Sequence, residues 1–415
     1  MNAFVERIYS IPTFRSLHHR NYRLFFTGQI FSLIGTWMQI MGLQWLVYQL
    51  THSSVWLGTI GFFQNIPIIF FTLYAGTLAD RMSKRRLIMI TQVLALIQAV
   101  LIAILLFFNS ISVMAIAILA VILGIINAFD IPSRQSFVIE MVGKEDLANA
   151  IALNSATFNM ARILGPAVGG FVISFFGLEW CFVLNAVSFV AVIGALAMMD
   201  ELEGKKGALP SSNAFRAFKE GLAYVKSETT IVALLSLVAI ITLFGWSYSV
   251  LLPVFAEDVL HIGAVGLGNL LTAVGIGAFI SAVAVATFEG RIQPRTFVYS
   301  GLTLFVISVS IFSLSQRVTL SILSLVGVGM GLVAFFATAN ASVQRRVPDH
   351  LRGRVMGLYS FIFQGSFPFG SLLIGIIAAE FGVRGAVLLG AGICAVTGIV
   401  VYSVMTRIRR SHVRV

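Results

Sequence analysis

The stretch Gly76-Thr-Leu-Ala-Asp-Arg-Met-Ser-Lys-Arg-Arg-Leu87 places five charges within seven residues, between two long apolar segments. Charged residues make up only 11% of the 415-residue chain and hydrophobic residues 58%, whereas soluble domains carry roughly 25% charged residues. The composition predicts an integral membrane protein, and the charged stretch then becomes a short connection between two membrane spans.

Apolar segments long enough to cross a hydrocarbon core of roughly 30 Å as α-helices recur along the chain. The chain left between them is too short for an independent soluble domain. The sequence therefore predicts an all-α membrane protein with twelve transmembrane helices, at approximately 22–48, 55–79, 87–108, 112–139, 147–175, 179–199, 230–256, 265–288, 296–314, 319–341, 354–379 and 385–406.

The position of the basic residues explains the formal net charge of +11. They cluster in the N-terminal arm, in the C-terminal tail and in every second connection, whereas the intervening connections hold only Arg317 and Arg384. By the positive-inside rule, we expect both termini and the basic connections to be cytoplasmic. The charge therefore reflects membrane topology, and we expect no nucleic-acid partner.

Residue types that metal sites and catalysis require are not grouped in this sequence. Cys181 and Cys394 lie inside predicted spans, and all six histidines fall in predicted loops or tails. We find no His-Glu-x-x-His pair, no Gly-x-Ser-x-Gly turn and no Gly-x-x-x-x-Gly-Lys-Ser/Thr phosphate loop. We therefore expect no metal, no cofactor and no enzymatic activity.

The chain repeats itself. A shift of 205 positions aligns residues 142–184 with 347–389 without a gap, and a shift of 210 aligns two basic residues of the opening stretch with a later pair. Because each offset spans an even number of helices, we expect two six-helix halves of the same orientation, related by an axis along the membrane normal. The halves would be residues 1–199 and 229–415. The matching pairs include Gly165 with Gly370, Gly170 with Gly375, Gly177 with Gly382, Arg81 with Arg291 and Arg85 with Arg295.

The charged segment 200–228 is the predicted cytoplasmic linker between the halves. Within it, Phe215, Phe218, Leu222 and Val225 recur at helical spacing, with basic residues off that stripe. This pattern is typical of an amphipathic helix lying on the inner leaflet of the bilayer.

The opening stretch resembles the loop signature of the major facilitator superfamily, with Gly76, Asp80, Arg81, Lys84 and Arg85 at the signature positions. Ser83 stands where the family usually has glycine. The resemblance implies that Gly76 permits close helix packing. It also implies that Asp80 accepts hydrogen bonds at the start of the eleventh span, near Arg352 and Arg354, and so closes the cytoplasmic side. For Arg85, as for Arg86, the alternative of merely fixing topology stays open.

The fifth span contains Ala161-Arg-Ile-Leu-Gly-Pro-Ala-Val-Gly-Gly170, which resembles a signature of antiporters in the same superfamily. Gly165, Gly169 and Gly170 are small enough for backbone contact between helices, and Pro166 permits a bend. Generic small-residue packing would explain the glycines equally well.

Three further segments, Leu17–Gln29, Asp130–Gln135 and Arg352–Tyr359, look like the branch that contains enterobactin-type siderophore exporters and macrolide efflux proteins. The resemblance implies a monomeric carrier in a bacterial inner membrane that exports an amphipathic small molecule in exchange for protons. Uptake of a small organic solute and a non-transporting receptor are the alternatives.

Polar residues inside the spans supply candidates for substrate binding and proton coupling, because such residues are costly in a membrane. Arg162 shares a face of the fifth span with Asn159 and either binds an anionic group or serves helix packing. Asp130, in the fourth span, either couples protons or forms a local pair with Arg134. A stripe on the first span and two aromatic residues in the seventh either line the substrate path or join and pack helices: Gln29, Ser32, Thr36, Gln39, Trp246 and Tyr248.

Overall fold

The computed structural model describes residues 12–200, 214–288 and 290–413, without the side chains of 12–13, 72–73, 75–77, 79–81, 214–218 and 409–413. These ranges contain helices and no strand. Eleven helical segments among them are long and apolar enough to cross a membrane. They are α1 Arg20–Thr51, α2 Ser54–Arg81, α3 Lys84–Phe107, α4 Val113–Val142, α5 Leu147–Phe176, α6 Glu179–Ala197, α7 Thr229–Val259, α8 Gly263–Phe288, α9 Pro294–Leu314, α10 Val318–Arg346 and α11 Asp349–Val413. A 3₁₀ helix, Pro12–His18, precedes α1, and a linker helix, Ala214–Ser227, precedes α7.

The long helix α11 contains the last two predicted spans. Its backbone breaks at Gly382, where φ is 75° and ψ is 158°, a conformation that glycine adopts without steric cost. The repeat-related Gly177, with φ of 106°, follows α5 directly. With this break, all twelve predicted spans are present as helical segments.

The helices form two compact units. Unit 1 comprises residues 1–46 and 67–210, and unit 2 comprises residues 47–66 and 211–415. The end of α1 and the start of α2 thus group with unit 2, although they belong to the predicted N-terminal half. The division into two sequence-contiguous halves stays a prediction based on the repeat.

Aromatic packing fills the core of unit 1 at the end that carries its basic loops, here called the basic end of unit 1. Phe25 of α1 meets Phe137 of α4 edge to face, with ring centroids 5.9 Å apart. Tyr22 is fully buried, and its hydroxyl donates to the Ala150 carbonyl oxygen over 3.0 Å. The 3₁₀ helix adds to this end because Arg15 pairs with Asp146 at 2.8 Å. The 3₁₀ helix is therefore fixed to the start of α5.

Residues 47–66 are held in unit 2 by side-chain and backbone contacts. Ser54 Oγ donates to the Gly375 carbonyl oxygen over 2.9 Å. Phe62 meets Phe369 with centroids 5.8 Å apart. The Tyr48 hydroxyl donates to the Asp258 carboxylate. These contacts lie at the opposite end of the helices from the basic loops, and no sequence pattern predicted them.

Candidate functional site

Close packing of α5 on α1 organises the first part of the candidate site, in unit 1. A Cβ atom at Gly165 would lie 2.9 Å from the Ile34 carbonyl oxygen and 3.1 Å from the Met38 amide nitrogen. A Cβ at Gly169 would lie 3.2 Å from Met38 Cγ. Because the nearest neighbours of Gly165 are Trp37 Cβ and these two backbone atoms of α1, any side chain there would separate the two helices. Pro166 and Gly170 are buried in the same stretch.

This packing brings an intramembrane arginine against an aromatic surface. Arg162 lies near the middle of α5, and its guanidinium carbon is 5.9 Å from the centre of the Trp37 ring, within the range of a cation–π interaction. Trp37 also meets Phe158 edge to face at 5.6 Å. Asn159 donates to the Ser155 carbonyl oxygen of its own helix. Arg162, Trp37 and Phe158, here called the α1–α5 cluster, combine a cation with aromatic faces, which suits an anionic or aromatic ligand.

The polar stripe of α1 does not act as one surface. Gln29 and Ser32 are 7% and 1% exposed, and within the described residues Gln29 Oε1 and Ser32 Oγ have no hydrogen-bond partner. Thr36 donates to the Ser32 carbonyl oxygen over 2.8 Å. Two buried oxygens on α1 are therefore available to a ligand or to water.

Gln39, the fourth member of the stripe, joins helices. It accepts from Asn185 Nδ2 of α6 over 2.7 Å and donates to Gln98 Oε1 of α3 over 3.1 Å. All three residues are buried. For Gln39, this amide network corresponds to the alternative in which the stripe joins helices. The Gln39 side chain faces α3 and α6.

Asp130 forms a buried polar cluster at the α3–α4 contact. Its carboxylate accepts from Thr91 Oγ1 over 2.7 Å and from Gln92 Nε2 over 3.0 Å. It also pairs with Arg134 one turn along α4, which is the local pair that the sequence allowed. Asp130 is 2% exposed. The two α3 donors were not predicted, because the sequence shows no relation between these helices.

The signature loop of the opening stretch is a tight connection. Helix α2 continues to Arg81 and α3 begins at Lys84, with Ser83 at φ −60°, so this position needs no glycine. Lys84 pairs with Glu140 of α4. The surroundings of Gly76 and the side chains of Asp80 and Arg81 lie outside what the structure describes, so the close packing at Gly76 and the closure through Asp80 stay predictions.

Arg85 has a role that the sequence did not predict. Its guanidinium donates to the carbonyl oxygens of Leu196, over 2.8 Å, and Ala197, over 3.1 Å. These are the last residues of α6, where carbonyl groups lack helical partners and a cation is favoured. Arg85 thus caps α6.

The predicted arginines of the eleventh span pair within unit 2. Arg352 pairs with Asp349 in the same helix, and Arg354 pairs with Glu220 of the linker helix. A Cβ at Gly221 would lie 3.2 Å from the Arg354 carbonyl oxygen. The linker helix therefore packs on the start of α11, with Val225 buried. The predicted apolar positions Phe215 and Phe218 lie outside the described side chains.

An aromatic cluster surrounds an irregular stretch of α7. The α-helical hydrogen bonding changes to π at Ile241–Gly245 and to 3₁₀ at Trp246–Leu251, a type of irregularity that often marks a hinge. The Trp246 ring lies 5.4 Å from both Phe336 and Phe363.

Tyr248, two residues later, is 2% exposed and packs near Phe312. Tyr248 therefore belongs to the core of unit 2, as the packing alternative held. Only Trp246 of the predicted aromatic pair joins the cluster on α10 and α11.

The described residues contain no group of three or more His, Cys, Asp and Glu side chains that could hold a metal ion. Cys181 and Cys394 are both fully buried. Cys181 contacts the Gly169 carbonyl oxygen at 3.7 Å, so it contributes to the α5–α6 packing.

Comparison with known proteins finds one matching family and relatives that are similar over most of the chain. The family described as transmembrane secretion effector matches residues 11–412. The staphyloferrin A transporter of Staphylococcus aureus is 26% identical over 87% of this chain and 90% of its own length. The multidrug efflux pump Tap of Mycolicibacterium fortuitum is 25% identical over 85% of this chain and 88% of its own.

Solved transporters share the fold. The nucleoside transporter NupG has a TM-score of 0.68 at 14% identity, covering 92% of this chain and 98% of its own. A bacterial homologue of the iron transporter ferroportin has a TM-score of 0.69 at 15% identity, covering 91% and 98%. These likenesses confirm the predicted fold class, the all-α fold of the major facilitator superfamily.

Proposed function

The chain belongs to the transmembrane secretion effector family of the major facilitator superfamily and is a multi-pass membrane transporter of small molecules, not an enzyme; from this, we propose that it exports an amphipathic small molecule, siderophore-like or drug-like, in exchange for protons by alternating access. The similarity to a siderophore transporter and to a multidrug efflux pump over most of the chain carries this proposal. The chain acts as a monomer in the bacterial inner membrane. The arrangement of basic loops supports cytoplasmic termini.

Asp130 is the proposed proton site. A buried carboxylate that keeps its charge needs compensating donors, and Thr91, Gln92 and Arg134 supply them. Protonation of Asp130 would remove the charge that holds Arg134 and weaken the acceptor of two α3 donors. Proton binding would thus change the contact between α3 and α4, which is what coupling to a conformational change requires.

The α1–α5 cluster is the proposed substrate contact in unit 1. Arg162 offers a cation in the membrane, where an anionic group of a substrate would be strongly attracted. The neighbouring rings of Trp37 and Phe158 offer apolar surface. Elsewhere on α1, the buried Gln29 Oε1 and Ser32 Oγ, which have no hydrogen-bond partner among the described residues, are further acceptors. In unit 2, taken by itself, Trp246 presents a separate aromatic surface beside the irregular stretch of α7. These groups suit an amphipathic molecule.

Transport into inside-out membrane vesicles tests the proposal. With an acid lumen, we expect the vesicles to accumulate at least one member of a panel made of staphyloferrin A, a macrolide and a lipophilic cation dye. A protonophore should abolish that accumulation. Failure of every probe to exceed empty vesicles would refute export of these substrate classes, and accumulation insensitive to the protonophore would refute proton coupling.

Two variants locate the coupling site. Asp130→Asn keeps the size of the side chain and should abolish proton-driven accumulation while leaving exchange of labelled for unlabelled substrate, which needs no proton gradient. Glu140→Gln is the matched control, because it removes another ion-paired carboxylate from the same helix. Equal losses in both variants would contradict the assignment to Asp130.

A further inference from the structure

A small cleft lies at the end of unit 2 that carries its basic loops, here called the basic end of unit 2. The cleft has a volume of about 190 Å³ and is bordered by α7, α9, α10 and the C-terminal part of α11. Drug-sized ligands usually occupy pockets of about 300–1,000 Å³, so this cleft suits a smaller group. It shares no residue with the α1–α5 cluster, since all of its lining residues belong to unit 2.

Two arginines and two tyrosines contribute to the polar lining, together with Thr230, Ser342 and Thr406. Arg295 is in the first turn of α9, and Arg346 is the last residue of α10. Tyr299 and Tyr402 meet edge to face with ring centroids 4.9 Å apart. Among the described residues, neither tyrosine hydroxyl has a hydrogen-bond partner, and the lining contains no carboxylate. The cleft is therefore positively charged and rich in donors.

The apolar part of the lining leads away from the arginines into the membrane-spanning part of the helices. It includes Leu234, Val298, Val401 and Met405. Val298 is 3% exposed at the closed side, whereas Tyr402 is 54% exposed and marks the open side. A cationic rim above an apolar crevice matches a phospholipid, whose phosphate lies at the membrane boundary and whose acyl chains extend inward.

The internal repeat explains why this cleft is open in unit 2. In unit 1, the repeat partner of Arg295 is Arg85, which donates to the carbonyl oxygens of Leu196 and Ala197 where α6 ends. A shift of 205 aligns Leu196 with Val401. Helix α11 continues for another three turns beyond Val401, to Val413, so the carbonyl oxygens at this position have helical partners. Arg295 forms no ion pair or hydrogen bond among the described residues.

We propose that the cleft at the basic end of unit 2 binds the phosphate of an anionic phospholipid through Arg295 and Arg346, with part of an acyl chain against Val298 and Val401. The planar guanidinium groups match phosphate oxygens through paired hydrogen bonds. Arg346 donates one hydrogen bond to the Ser342 carbonyl oxygen, over 3.2 Å, and its guanidinium has further N–H donors for the ligand. Basic clefts between transmembrane helices are a recurrent form of lipid recognition.

Native mass spectrometry of the purified full-length chain, released from detergent with added lipid, tests this inference independently of transport. We expect dioleoyl phosphatidylglycerol to be retained and dioleoyl phosphatidylcholine to be retained much less. Arg295→Gln should weaken phosphatidylglycerol binding about tenfold, the effect of losing a charged hydrogen-bonding partner, and the Arg295→Gln, Arg346→Gln double variant should weaken it further.

Arg291→Gln is the matched control, because Arg291 is an exposed arginine in the connection just before α9 and does not line the cleft. Arg295→Gln removes no ion pair or hydrogen bond among the described residues, so its folding should be intact, and thermal unfolding without lipid checks this. Unchanged binding in Arg295→Gln, or an equal loss in Arg291→Gln, would overturn the proposal. Displacement of the lipid by millimolar inorganic phosphate would show a free-phosphate site and would overturn the lipid assignment.

Discussion

Replacement of Gly165 by alanine probes the contact that positions the α1–α5 cluster. In Gly165→Ala, the new Cβ would lie 2.9 Å from the Ile34 carbonyl oxygen and 3.1 Å from the Met38 amide nitrogen. Both are backbone atoms, so relief requires α1 and α5 to move apart. Overpacking of this kind costs about 1–3 kcal/mol, with rigid neighbours placing it near the upper limit. Alanine favours the helix by about 1 kcal/mol over glycine, which leaves a net destabilisation of about 2 kcal/mol.

Gly194→Ala provides the matched control in the same unit. Gly194 lies in α6, and its added Cβ would meet nothing within 4 Å. Only the helix propensity then changes, so we expect stabilisation of up to about 1 kcal/mol. The two variants should differ by about 3 kcal/mol. For domains of about 150–250 residues, each kcal/mol shifts Tm by about 2–4 °C, which predicts a separation of about 6–12 °C.

Unfolding can be followed with a thiol-reactive fluorescent dye, because the two cysteines of the chain are fully buried in the folded state. The purified full-length variants would be heated in the same detergent. The predicted order of Tm is Gly165→Ala, then wild type, then Gly194→Ala. A Tm for Gly165→Ala equal to or above that of Gly194→Ala would refute the close contact between α1 and α5.

The other predictions use the same reasoning at other sites. Gly370→Ala should lower Tm more than Gly392→Ala, because a Cβ at Gly370 would lie 2.9 Å from the Leu243 carbonyl carbon, whereas Gly392 has open space; equal shifts would contradict the repeat-related packing. Gln39→Leu should destabilise the chain by about 1–3 kcal/mol, because it leaves the buried Asn185 Nδ2 and Gln98 Oε1 without the partner that Gln39 provides. Gln44→Leu, which removes an oxygen that already lacks a partner among the described residues, should cost less, and the reverse order in thermal unfolding would contradict the network. In intact cells, an impermeant maleimide should label Ser110→Cys and leave Lys144→Cys unlabelled, since the proposed topology puts Lys144 inside; the opposite result would invert that topology.

The hydropathy of the sequence was enough to locate the spans. The free energy of transfer from water to the membrane depends on the composition of some 20 consecutive residues and hardly on which helices pack against them. The sixth span, predicted at 179–199, is the helix Glu179–Ala197. The seventh, predicted at 230–256, is the segment Thr229–Val259. Ends and lengths were therefore accessible from the sequence.

The sequence did not predict the rotation of each helix about its own axis as well as it predicted the ends of the helices. Helices that are apolar on most sides give little preference for one face, so the neighbours of Gln39 could not be assigned on the basis of α1 alone. The amide network needs Asn185 and Gln98, which lie 146 and 59 residues away from Gln39. The α6 cap by Arg85 and the pairing of Glu220 with Arg354 depend on similar distant contacts.

The most direct test of proton-coupled export is proton movement driven by the substrate alone. Proteoliposomes containing the purified chain and a trapped pH-sensitive dye would receive an inward gradient of the substrate found in the vesicle assay, with no imposed pH gradient. Antiport predicts that the lumen becomes alkaline as substrate enters, and that Asp130→Asn moves substrate without changing the luminal pH. Acidification of the lumen would reveal symport, and substrate entry with constant luminal pH in the wild type would show uncoupled transport; either result would contradict the account.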